Sequence, residues 1–176
     1  METKTKVLVA YATSYGSTQE IAEVISETLR SQGLTVDLQP IRNVRILEGY
    51  SAVVLGAPLY MFHWYKDALH FLSQHRKILA DNLPVAIFAG GPFAKGDGNE
   101  WHEVRVKLDL ELAKFPWLTP ISVQIVGGKF DPTKLRFPYN LIPALKKMPA
   151  SDLRDWVAIR AWANSLAAQF LPDLPQ

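Results

Sequence analysis

The chain predicts an α/β fold, a three-layer, doubly wound, five-stranded parallel sheet in the order 2-1-3-4-5, on three observations. Five short apolar runs alternate strictly with segments of helical spacing. Three of those runs are almost continuously apolar, as strands covered on both faces must be. A hydroxyl-rich turn directly joins the first strand to the first helix. Alternating strands and helices form βαβ units with right-handed crossovers, which place helices on both faces of the sheet.

The predicted strands are Val7–Tyr11, Thr35–Leu38, Ala52–Gly56, Val85–Gly90 and Ile121–Val126. The first, third and fourth are the unbroken ones and belong at the centre, whereas Thr35–Leu38 alternates as an edge strand does. Ile21, Ile25 and Leu29 recur every four residues, with Glu20 early, Arg30 late and Gly33 as a stop, and so define the first helix. Ala68, Leu69 and Leu72 mark a second helix, and Trp101, Val104, Leu108, Leu112 and Phe115 a third. Trp156, Ile159, Ala163, Leu166 and Phe170 mark the last, with Asp152 expected as its cap. All four stripes read as core. Pro58 is expected to end the third strand.

A chain of 176 residues with 48% hydrophobic and 20% charged residues is expected to form one domain over residues 1–176, with an insertion at about 127–151 before the last helix. The apolar start at Val7–Ala12 is too short for a secretory signal and no run reaches membrane-spanning length, so a cytoplasmic location is expected. Without cysteine there is no thiolate nucleophile or disulfide, and any redox chemistry must come from a bound cofactor. Residues 127–149 hold Lys129, Lys134, Arg136, Lys146 and Lys147 against Asp131, a local +4 in a chain of net +2. Such a segment attracts anionic partners or the inner face of a membrane, and it is equally the composition of a solvated loop. No nucleic-acid partner is expected.

Parallel sheets of this kind bind ligands beyond the carboxyl ends of their strands, at the switch point between the first and third strands. Three loops meet there. The first is Thr13, Ser14, Tyr15, Gly16, Ser17 and Thr18, four hydroxyl-bearing Ser/Thr residues around one glycine at a helix start. Backbone N–H groups and hydroxyls in that place suit a phosphate monoester. A helix cap would need only one such residue. Neither GxGxxG nor GK[ST] is present, which sets aside dinucleotide and P-loop sites.

The second loop, Ala57, Pro58, Leu59, Tyr60 and Met61, leads into Phe62, Trp64 and Tyr65, an aromatic cluster that suits stacking on a flat isoalloxazine ring. Tyr60 is expected to face the ligand and Tyr65 to be core, with Trp64 open between the two. The third loop, Gly90, Gly91, Pro92 and Phe93, brings backbone amides close to a ligand and offers Phe93 as a second ring contact. His63 could donate a proton toward the ring, although its position is the sole motive and a surface histidine is the plainer reading. The four histidines form no metal-ligand pattern. A phosphorylation receiver of the same topology needs acidic residues where Tyr11–Thr13 and Gly56–Pro58 stand.

The string TSYGST after VLVAYA resembles the FMN phosphate loop of the flavodoxins, with Tyr15 where an inner Thr is usual. YATSYGSTQEIAEVI, GAPLYMFHWYKDALHFL, VGGKFDPTKLRF and RDWVAIRAWA resemble the branch that includes the bacterial menaquinone-dependent protoporphyrinogen IX dehydrogenases. The resemblance spans nearly the whole chain and departs at Pro143–Asp152, which is shorter than that branch's linker. It implies FMN, with phosphate on Thr13–Thr18 and ring contacts from Ala57–Met61 and Gly90–Phe93. It also implies an oxidoreductase working between a small-molecule substrate and a quinone. The alternative is a non-enzymatic shuttle between a protein reductase and an acceptor, for which a pI near 8.8 lacks the usual acidic docking face.

Overall fold

A computed structural model describes residues 5–60, 63–93 and 96–171. Strands β1 (Lys6–Tyr11), β2 (Thr35–Pro40), β3 (Ala52–Tyr60), β5 (Val85–Gly90) and β6 (Ser122–Ile125) pair in parallel in the order β2-β1-β3-β5-β6, which is the predicted 2-1-3-4-5. β1, β3 and β5 occupy the centre, and the alternating β2 is an edge strand. β4 (His63–Trp64) folds back antiparallel on the end of β3, with Tyr60 opposite His63. β3 does not stop at Pro58. Extended backbone accommodates the proline, Pro58 keeps its register with Gly90, and its carbonyl accepts from the Tyr65 N–H at 3.1 Å.

Successive strand residues point to opposite faces, so the sheet has two cores. Val7, Val9, Val54, Ala86 and Phe88 face α1 (Ser17–Ser31) and α6 (Trp156–Phe170), which bring Ile21, Ile25, Leu29, Ile159, Ala163 and Leu166. Leu8, Val53, Leu55 and Ile87 face α2 (Lys66–Gln74), α3 (Arg76–Ala80) and α4 (Asn99–Leu112), which bring Ala68, Phe71, Leu72, Leu79 and Leu108.

Two expectations about the helices are corrected. In α4 only Leu108 of the expected stripe is fully buried, while Val104 and Leu112 pack partly covered and Trp101 is exposed. The helix lies against the short β4 and the edge strand β6, where less of its surface is covered. The cap of α6 is Asp155, whose carboxylate accepts from the Ala158 N–H at 3.0 Å. Asp152 lies in a strand instead and binds Arg154.

Between β6 and α6 the chain makes a two-stranded antiparallel ribbon, β7 (Lys129–Phe130) and β8 (Ser151–Asp152). It encloses single helical turns at Pro132–Lys134 and Tyr139–Leu141 and the short α5 (Pro143–Lys146). None of these three turns buries a residue fully. No helix among the described residues is long and apolar enough to cross a membrane.

Candidate functional site

The C-terminal ends of β1, β3 and β5 deliver the three predicted loops to one place. After β1 the Ala12 N–H bonds to the Gly56 carbonyl at 2.9 Å, and the chain then turns through Thr13 to Gly16 into α1. Gly16 has φ +89°, a left-handed conformation that side chains resist, and its N–H donates to Thr13 Oγ1 at 2.9 Å. No side chain caps α1. The hydroxyls are therefore not used as a cap, and the helix start keeps donors and partial positive charge facing the loop.

Against this loop lies a cavity of about 390 Å³. Ser14, Tyr15, Ser17 and Glu20 form one wall, Tyr60, Tyr65 and Phe93 a second. Residues of the 127–149 segment, among them Lys129, Phe130, Lys134, Tyr139 and Met148, form the third. The lining is mostly apolar, with two lysines, the carboxylates of Glu20 and Asp131 and a few hydroxyls, the usual character of a small-molecule site.

Tyr60 and Phe93 stack on one another, with ring centres 5.3 Å apart and planes 22° from parallel. That spacing leaves no slot between them. A flat ligand would lie on an outer face of the pair. Burial and the neighbouring Tyr15 and Tyr65 push the Tyr60 hydroxyl well above its ordinary range, so it stays protonated.

Tyr65, expected in the core, belongs to the site: it is half-buried, lines the cavity and accepts from Ser14 Oγ at 3.2 Å. Trp64 takes the core place instead, with Nε1 donating to the Ala57 carbonyl at 3.0 Å. The antiparallel step of β4 turns consecutive residues to opposite sides, which decides the matter. Among the other predicted contacts, Ala57, Pro58, Leu59, Gly90, Gly91 and Pro92 are buried and do not line the cavity. Thr18 is buried at the first turn of α1, and Thr13 Oγ1 accepts from the Gly16 N–H without lining the cavity. Met61 lies outside the described residues. His63 is 75% exposed and turns its Nδ1 to Glu111 Oε1 at 3.4 Å, away from the cavity.

The root of the 127–149 segment is fastened to these loops. Gly128 N–H donates to the Pro92 carbonyl at 2.9 Å, and Ser151 Oγ donates to the Phe93 carbonyl. Gly127 sits at φ +72°, where a Cβ would run into the Leu153 carbonyl. Arg154, only 3% exposed, binds Asp152 through Nε and one terminal nitrogen at 2.8 and 2.7 Å. Its other terminal nitrogen reaches Glu20 Oε2 at 2.5 Å and the Ser17 carbonyl at 3.5 Å. Sequence reasoning missed Arg154, Glu20 and Leu145. A charged pair across 134 positions leaves no local signal, although Glu20 in a helix first turn marks where a cation can dock.

A five-stranded parallel sheet with its ligand-sized cavity at the switch point, and with a glycine-turned hydroxyl loop at the first helix, defines the class: a doubly wound α/β protein. The chain belongs to the flavodoxin domain family, whose model matches residues 8–149. It is 27% identical over 180 residues to protoporphyrinogen IX dehydrogenase [quinone] of Escherichia coli strain K12, covering 97% of this chain and 98% of that protein. A flavodoxin from the domain Archaea superposes with a TM-score of 0.58 at 14% identity, over 94% of this chain and 98% of that one. The rubredoxin oxygen:oxidoreductase of Desulfovibrio gigas superposes at 0.63 and 17% identity, over 98% of this chain but only 38% of its own length.

Proposed function

We propose that the chain binds one FMN and works as an FMN-dependent oxidoreductase with a quinone acceptor, of the protoporphyrinogen IX dehydrogenase type. The observation that carries this is the uncapped, hydroxyl-rich start of α1 opening into the same cavity as the Tyr60–Phe93 stack. A phosphate needs the first and a flat ring needs the second, and FMN has both. The full-length match to a quinone-linked relative supports the choice of acceptor.

Bound FMN would supply two-electron chemistry to a chain that has no redox side chain of its own. Ser14 and Ser17, with the α1 amides, hold the phosphate, and Thr13 keeps the loop turned by accepting from Gly16. Tyr60 or Phe93 offers a ring face, while Phe130, Leu135 and Met148 exclude water on the opposite side. Lys129 and Lys134, offset in part by Asp131, offer positive charge to an anionic substrate entering the same cavity.

Chromatography of released flavin gives the cofactor, and anaerobic reduction followed by mixing separates the acceptors. The expected result is one FMN per chain, reoxidised quickly by a quinone and reduced by protoporphyrinogen. Reoxidation by a protein acceptor alone, with salt-sensitive rates, would make the chain a shuttle instead. Protein that takes up no FMN would end both readings.

A further inference from the structure

Helix α4 braces the cavity wall from behind. Its Val104 packs against Gly91, where an added Cβ would meet the valine methyls at 3.5 and 3.6 Å, and its Glu111 reaches His63 on β4. Gly91 leads into Phe93, and His63 pairs with Tyr60 across the β3–β4 reversal. The two ring-bearing loops are thus joined twice, in front by the Tyr60–Phe93 stack and behind by α4.

Glu111 is an unexpected residue for a helix that only covers a core. It is 4% exposed and one turn from the fully buried Leu108, a place that leucine would fill without a charge to desolvate. Its Oε1 receives Lys114 Nζ at 2.7 Å and His63 Nδ1 at 3.4 Å, and its Oε2 is buried without a partner. Lys114 follows on the same stretch of chain, so of these two contacts only the one to His63 ties α4 to another element. β4 is two residues long. Trp64 fixes its inner side through the indole bond to Ala57, and Glu111 meets the side chain on its outer side.

We propose that Glu111 is the positioning residue of the ring wall: through His63 it pins β4 to α4 and so sets where Tyr60 and Tyr65 stand in the cavity. The inference deepens the FMN reading and rests on it for its purpose, since Tyr60 offers the ring face there. Tyr65 follows β4 directly, donates its N–H to the Pro58 carbonyl at 3.1 Å and accepts from Ser14 Oγ. A shift of β4 would therefore reach the hydroxyl loop as well.

The test is amide hydrogen exchange of the flavin-free chain, read at Tyr65 beside β4 and at Val53, which bonds to the Pro84 carbonyl in the sheet, followed by titration with FMN and with riboflavin. Glu111→Leu and His63→Ala should each speed exchange at Tyr65 by about three- to tenfold, the loss of one hydrogen bond, and leave Val53 unchanged. Both should weaken FMN and riboflavin to the same degree, by about threefold, as a displaced ring contact does. Glu111→Gln, whose amide oxygen still accepts from His63, should restore the wild-type values. His63 is exposed, so its variant folds even where the leucine variant does not. Unchanged exchange at Tyr65 in His63→Ala overturns the proposal. So does an equal rise at Tyr65 and Val53, which marks a loss of global stability only. So does faster exchange at Tyr65 with flavin affinity unchanged in both variants. Wild-type protein that takes up neither flavin refutes the cofactor reading alone, and the exchange pattern then decides the anchor by itself.

Discussion

Arg154 and Glu20, 134 positions apart, meet at 2.5 Å and join the end of the 127–149 segment to the first turn of the helix that starts the hydroxyl loop. The guanidinium also holds Asp152 with two bonds and lies 4.6 Å over the Trp156 ring. A cation beside a helix N-terminus is unfavourable alone, and Glu20 and Asp152 offset it. The pairing makes the roof of the cavity and the start of α1 one mechanical unit.

Arg154→Met should therefore destabilise the fold by about 2 kcal/mol, less than a fully buried pair because both carboxylates can return to water. Urea unfolding measures it. The hydrogen bonds from Arg154 hold the Asp152 carboxyl below its ordinary range. A depressed folded pKa contributes stability that is complete above the unfolded value near ~4 and is lost as pH falls through the folded one. The gap between wild type and variant should be constant at neutral pH and should close in acid.

Trp64→Phe should cost about 1–3 kcal/mol, because the ring still fills its place but the buried Ala57 carbonyl loses its donor. Urea unfolding checks this as well. A cost near zero would show that another donor replaces the indole.

Much of this arrangement is legible in the amino-acid order. Unbroken apolar runs placed β1, β3 and β5 at the centre, and the strand–hydroxyl loop–helix junction placed the cavity at the right end of the sheet. The roles of Trp64 and Tyr65 were not legible, because they depend on a two-residue strand whose pairing only the fold decides. Asp152 and Asp155 both precede the last helix, and only the backbone geometry at Asp155 selects it as the cap. Trp162, absent from the expected stripe of α6, is buried and donates to Ser122 Oγ at 2.8 Å. A buried helix face is wider than a four-residue repeat suggests.

Ser17→Ala should weaken FMN about tenfold and leave riboflavin unchanged, since one hydrogen bond to a charged phosphate is at stake. Fluorescence titration of both ligands makes the comparison.

Tyr60→Leu should weaken FMN and riboflavin to the same degree, by about three- to tenfold, because it removes a ring contact that both ligands share. The same titration measures it. A loss confined to FMN would place Tyr60 at the phosphate instead of the ring.

The most direct test of the site is titration of flavin-free wild-type protein with FMN and with riboflavin, side by side. The α1 start and its hydroxyls predict one FMN per chain, bound at least about a hundredfold more tightly than riboflavin. Equal affinity for the two, or no binding of either, would contradict the assignment of this loop to phosphate.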